Sequence, residues 1–201
     1  MMHDLKIPLF PLNGVIFFPN TNLPLNIFEE RYLDMINHSL KSNRLIGMIQ
    51  VNKKGDFYSI GCVGKINSFS ETDDGRYIIN LIGQNYFKIN KRLPDTFKFI
   101  MAKVDIAIKN NETTTNLKSF NKKLLLEKYK EFIYGQGIEI DLSAIHQIGD
   151  EDLIKFVAMS CPFSTEDKQM LLETFDLTDL NKKLINLFDF YQNLKSKKSL
   201  N

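Results

Sequence analysis

The hydrophobic pattern of this 201-residue chain changes period once, and that change limits its fold more than any other feature. Up to about Ile108, short apolar runs are punctuated by Pro8, Pro11, Gly14 and Pro19, residues that cannot sit in mid-helix or in a central ladder. From about Asn116 the apolar residues recur at helical spacing. Strands first and helices afterwards predict an α+β protein. The β-rich part is expected at 1–108, a polar linker at 109–116 (KNNETTTN), a helical part at 117–195 and a frayed tail at 196–201.

In the first part, Ile7 to Phe10, Val15 to Phe18, Leu45 to Val51, Ile60 to Thr72, Arg76 to Gly83 and Phe97 to Ile108 are the expected extended runs. Asp73-Asp74-Gly75 stands where a hairpin reverses, with glycine supplying the positive φ. Gly61, Gly64 and Gly83 within strands predict bulges or bends, hence a curled sheet that closes or nearly closes into a small barrel. One helix interrupts the strands. Asn26 is the expected N-cap, Glu29 its reciprocal partner, and Phe28, Tyr32, Met35, Ile36 and Leu40 its apolar face. In the second part helices are expected at Leu117 to Tyr134, from Leu142 behind Asp141, from Glu151 behind Asp150, from Thr165 behind Ser164, and from Leu180 to Lys195.

Twenty-six Lys and Arg against 24 Asp and Glu leave a net charge of +2, without the basic surplus of a dedicated duplex-DNA binder. Forty-three per cent apolar and 25% charged residues exclude a mainly disordered chain. The opening residues lack a membrane-length apolar run and carry Asp4 and Lys6, so the cytoplasm is the expected location. Cys62 and Cys161 lack C-x-x-C spacing and are expected as buried free thiols.

The search for catalytic, metal and cofactor residues finds none. Gly64-Lys65 is followed by Ile66 and so makes no phosphate loop, and Gly135-Gln136-Gly137 follows a helix, where it serves as a cap and turn. His3, His38 and His146 are too dispersed for a shared metal. Ser160 with Lys168 is a pairing of abundant residues without a nucleophile turn. The basic and aromatic stretches at Arg76-Tyr77 and Tyr86 to Arg92 have the composition of a nucleic-acid surface, although strand alternation puts their aromatics equally well in a core.

Taken together, IPLFPLNGVIFFPNTNLPLNIFEERYLDMI at the start, LIGMIQ from Leu45, GCVGKINSFSETDDGRYIINLIG from Gly61 and DLSAIHQIGDEDLIKFVAMSCPFSTEDKQMLLETFDL from Asp141 resemble the N-terminal, substrate-binding domain of the Lon ATP-dependent protease in its free-standing bacterial form. Glu30 stands where the family's F-E-P-R-Y stretch has proline, Leu142 where many relatives carry Trp, and Leu180 where Arg is frequent. The resemblance implies a PUA-like β-barrel subdomain with one inserted helix, then a helical subdomain. It implies recognition of unfolded or tagged protein segments, and no ATPase or peptidase activity, which belong to separate domains.

The expectation is therefore a non-enzymatic binding module without cofactor or metal, a monomer or weak dimer independent of membranes, whose partners are polypeptide segments and a protease or chaperone. Phe17, Phe18, Leu23 and Leu25, apolar residues in a Pro-bounded region, are the candidate contacts. RNA binding through the barrel is the alternative from another class, and a hydrolase assembled from distant residues is a third.

Overall fold

A computed structural model of the chain describes residues 2–106, 117, 120–139, 145 and 148–198. In chain order its elements are β1 (Met2–Pro11), β2 (Asn22–Ile27), α1 (Glu30–Leu40), β3 (Leu45–Ile49), β4 (Ile60–Glu71), β5 (Tyr77–Arg92), β6 (Ile100–Ile106), α2 (Lys122–Tyr134), α3 (Asp150–Ser160), α4 (Thr165–Leu172) and α5 (Leu177–Lys198). The expected linker at 109–116, the helix from Leu142 with its Asp141 cap, His146 and the last three residues of the tail lie outside the described residues. The chain forms two compact units, Met1–Asn111 with Ser164–Leu172, and Glu112–Phe163 with Glu173–Asn201.

The first unit is a mixed six-stranded sheet in the order β2-β5-β4-β3-β1-β6, antiparallel except for the parallel β1–β3 pair. Sixteen-residue β5 is long enough to use one edge twice: Tyr77 to Ile82 pair with β2, and Phe87 to Arg92 pair with β6. Because β6 also pairs with β1, the hydrogen-bond ladder runs from β5 through β4, β3, β1 and β6 and returns to β5. Ile7, Leu9, Ile49, Val63, Phe87, Ala102, Val104 and Ile106 form one buried cluster, with every strand of that circuit contributing and β2 contributing nothing. Burying side chains of this size stabilises by roughly 1.5–3 kcal/mol each.

Pro8 sits inside β1, where the sequence pattern left no room for a proline in a ladder. Its partner Met101 turns its carbonyl toward Leu93, away from β1, so Pro8–Met101 is a non-bonded pair and no ladder bond is lost. The Asp73-Asp74-Gly75 hairpin is as expected, with Gly75 at φ +80°. Helix α4 belongs to this unit although it lies among helices in sequence. Buried Lys168 donates to the Gly14 carbonyl at 2.7 Å, and Gln169 accepts from Gln50 and donates to the Ile60 carbonyl, both at 3.0 Å. Ser164 caps α4 as expected, its hydroxyl accepting from the Asp167 amide at 3.1 Å.

The second unit is held by aromatic rings. Phe132 on α2 lies 5.1 Å from Phe163, 5.3 Å from Phe188 and 5.7 Å from Tyr191, centroid to centroid. Helix α2 begins at Lys122 rather than Leu117, because the Asn121 side chain accepts from the Leu124 amide at 3.0 Å and fixes the first turn. Gly135 ends that helix, and Gly137, at φ +75°, turns the chain as expected of this pair.

Further expectations are overturned, among them the cap at Asp150, which is instead the first residue of α3 behind Gly149. Val15 to Phe18 form no strand, the strand β2 had been missed, and Asn26 is no helix cap. Asn26 pairs with Ile78 as part of β2, while α1 starts at Glu30 behind Glu29, whose side chain makes no cap bond. The Glu29 carboxylate instead accepts from the Arg31 guanidinium at 2.8 and 3.0 Å. A ladder to β5 satisfies several backbone groups at once, which a single side-chain cap cannot match.

Candidate functional site

Of the four apolar residues expected to contact a partner, the structure places two in the core. Phe17 is 1% exposed and Phe18 is fully buried. Glycines make room for them: a Cβ on Gly64 would stand 2.8 Å from the Phe17 ring, and one on Gly83 would stand 2.0 Å from the Phe18 carbonyl oxygen. The segment is then tied to β5 by Asn20 N–H donating to the Gly83 carbonyl and Gly83 N–H donating to that of Thr21, both at 2.9 Å. The expectation that Phe17 and Phe18 are surface contacts is corrected accordingly. Their irregular backbone reflects a path pressed onto strand glycines.

Leu23 and Leu25 are different. They are half-buried on β2, directly opposite Leu81 and Ile79. The Gly83–Thr21 bond sets the phase of this ladder, so Leu23 and Leu25 turn their backbone toward β5 while Pro24 faces the open edge, where its missing N–H breaks nothing. Across β5, Ile79 also pairs with Phe69 of β4, so Leu25, Ile79 and Phe69 form one row on one face. Ile79 in the middle is buried, while Phe69 is 43% exposed and packs edge-on against Tyr77 at 4.9 Å.

Helix α1 borders this row through Asn37, whose side-chain oxygen accepts from the Tyr77 hydroxyl at 3.2 Å. One residue beyond β2, Phe28 is 67% exposed, the most exposed large apolar side chain among the described residues. Sequence reasoning had placed it on the buried face of α1, because Phe28, Tyr32, Met35 and Ile36 fit a helical period; the helix starts two residues later and leaves Phe28 outside it. Phe69 was missed because an extra residue at Asn67 breaks the alternation of β4. A one-residue offset in the strand pattern is the signal that could have found it.

Charged residues of α1 and the β4–β5 hairpin are paired with one another or with Lys98. Arg31 lies 4.5 Å above the Tyr32 ring while paired with Glu29, and burial pushes the Tyr32 hydroxyl above its ordinary pKa against the opposing pull of Arg31. Lys98 bridges Glu30 and Asp34 of α1, and its hydrogen bond holds the Glu30 carboxyl below its usual value. At the hairpin Arg76 pairs with Asp74 at 2.7 Å, and that contact together with the Thr72 hydroxyl holds Asp74 at about 2.

The other candidates resolve as follows. Tyr86 and Phe87 are core residues, Arg76 pairs with Asp74 and Arg92 with Asp95, so the rings of the second stretch face the core while its cations face solvent. Ser160 bonds the Tyr129 hydroxyl at 3.0 Å, whereas Lys168 bonds Gly14. His38 packs against Phe97 and Phe99, and both cysteines are buried and outside any disulfide. Among the described residues no cluster of three or more His, Cys, Asp or Glu is placed to hold a metal, and no helix is long and apolar enough to cross a membrane.

A model of the family described as the ATP-dependent protease La (LON) substrate-binding domain matches residues 6–189. The Lon protease of Dictyoglomus thermophilum is 24% identical over 186 residues, covering 89% of this chain and 23% of that protein. That of Desulfosudis oleivorans is 27% identical over 195 residues, again covering 89% and 23%. The chain thus spans about a quarter of the length of the curated relatives it matches. Among solved structures, a Lon N-terminal domain protein from Xanthomonas campestris shares the fold with a TM-score of 0.63 at 18% identity, over 90% of this chain and 98% of that one. The N-terminal domain of a Mycobacterium avium complex Lon protease does so with 0.66 at 16%, over 92% and 98%.

Proposed function

The chain belongs to the family of Lon protease substrate-binding domains, and from that premise we propose that it is a non-catalytic module that holds unfolded or tagged polypeptide segments. The family match over residues 6–189 carries the proposal. The ladder that returns to β5 supports describing its sheet as a PUA-like β-barrel with α1 inserted.

The apolar residues that would receive a segment are Leu23, Leu25, Phe28 and Phe69. Apolar surface left in water is costly, and burying it against a partner's side chains recovers that cost without requiring a defined sequence. The two leucines stand on an edge strand, so a partner can be gripped by side chains where Pro24 interrupts a continuous backbone ladder. A protease or chaperone is the proposed destination of the held chain, and the cytoplasm the proposed location.

A fluorescein-labelled polypeptide kept unfolded by reduction and alkylation provides the test. The account expects saturable anisotropy with a dissociation constant of about 10 μM, near −7 kcal/mol, weakened several-fold by Phe28→Ser with Phe69→Ser. Absence of binding at ten times that concentration would remove its main support.

A further inference from the structure

Outside the apolar face, three backbone irregularities converge on one open cleft of about 260 Å³ lined by Arg44, Lys65, Ile66, Asn67, Ile82 and Gln84. In the β4–β5 ladder, Val63 pairs with Asn85 and Gly64 with Gly83, which leaves Gln84 as an extra residue. Ile66 pairs with Leu81 and Ser68 with Asn80, which leaves Asn67 as another. Such bulges re-aim side chains. Arg44, just before β3, is one of the few non-glycine residues at positive φ, at +61°. It is pinned there: its N–H donates to Ser39, its carbonyl accepts from Ile66, both at 2.9 Å, and the next amide is held by the Asn43 side chain at 3.1 Å. Strain of this kind persists only where surrounding structure imposes it, and it concentrates at functional sites.

The polar side chains brought together are exposed and make few bonds to the rest of the described residues. Among the described residues, Arg44 and Lys65 make no ion pair, and the Asn67 amide has no partner. The Gln84 amide is steadied by donating to the Ile82 carbonyl at 3.2 Å. Cross-strand pairing sets Lys65 opposite Ile82 and Leu45, the residue after Arg44, and both cations line the same cleft. Like charges side by side are unfavourable until an anion sits between them.

We propose that this cleft is a carboxylate-binding subsite, with the Arg44 guanidinium and Lys65 ammonium as charged donors and the Asn67 amide as the neutral one. A carboxylate presents about four lone-pair positions to such donors, and the planar guanidinium can meet two of them at once. A net charge of only +2 lacks the basic surplus of a dedicated polyphosphate-backbone binder. That the carboxylate belongs to a polypeptide, as a chain end or an acidic side chain, rests on the substrate-binding reading; the donor chemistry does not.

The test is an NMR titration of the whole chain with N-acetyl-leucine, N-acetyl-aspartate α-amide and N-acetyl-leucinamide, followed at the side-chain amides of Asn67 and Gln84, with sodium phosphate at equal ionic strength as a competitor. Both carboxylates should give saturable shifts and the leucinamide none, and the tighter carboxylate identifies chain end or side chain. Arg44→Gln or Lys65→Gln should each weaken binding about tenfold, the effect of losing one charge-assisted hydrogen bond, with unchanged melting temperature. Equal shifts with leucinamide, indifference to both substitutions, or tighter binding of phosphate than of either carboxylate would overturn the subsite. Binding of N-acetyl-leucine without any binding of unfolded polypeptide would sink the substrate-binding reading and leave the cleft standing.

Discussion

Two pairs of phenylalanines in the sheet unit met opposite fates. Phe17 and Phe18 lie in an irregular, Pro-bounded segment and are buried, while Phe28 and Phe69 stand beside or within regular elements and are exposed. The difference lies in distant residues. Gly64 and Gly83 leave space on β4 and β5 that the 17–18 segment fills, whereas α1 begins too late to carry Phe28 inward, and Phe69, which the bulge at Asn67 puts in one row with buried Ile79, stays exposed near the hairpin end of β4. Burial of an aromatic ring is thus decided by the space opposite it more than by the regularity of its own backbone.

The comparison makes its largest demand on stability. Phe18→Ala should cost about 3–5 kcal/mol, as emptying a filled core does, whereas Phe28→Ala should lie within about 0.5 kcal/mol of the parent; urea midpoints check both, and a similar cost for the two would erase the distinction. Gly83→Ala should cost about 3 kcal/mol, because the new methyl would meet a backbone carbonyl that cannot step aside. A soluble, fully stable Gly83→Ala protein would contradict the contact with Phe18.

Smaller effects sharpen the picture. Asn121→Ala should lower stability by about 1 kcal/mol, because the Asn121 side chain caps α2. Asn26→Ala should change it by no more than about 0.5 kcal/mol, because Asn26 is an exposed edge-strand residue. Equal costs at the two asparagines would restore the capping role at Asn26. The Asp74 carboxyl, held at about 2 against an ordinary 3.8, favours the hairpin fully above its unfolded value and loses that contribution as pH falls through about 2. Proton NMR of the 72–76 turn should therefore remain native-like at pH 4, and loss of its dispersion by that pH would contradict the Arg76 contact.

Much of the fold was legible wherever its cause is local. Gly75 announces the hairpin, Ser164 caps α4, Gly135 closes α2, and the change of period separates sheet from helices. What escaped has its cause far along the chain. Asn26 looks like a cap until β5, some fifty residues later, offers a ladder to Asn22–Ile27. α4 looks like one helix of a bundle until Gln50 and Ile60 claim Gln169. Of the candidate contacts, Leu23 and Leu25 are half-buried on β2, while the burial of Phe17 and Phe18 escaped because the pattern of a single segment does not show the glycines it packs against.

Amide hydrogen exchange of the whole chain, with and without an unfolded polypeptide at saturating concentration, tests the central claim most directly. The account predicts slowed exchange confined mainly to residues 22–28 and 68–78, with the already protected 17–18 segment unchanged. Added protection at 17–18 without any at 22–28 or 68–78 would contradict it.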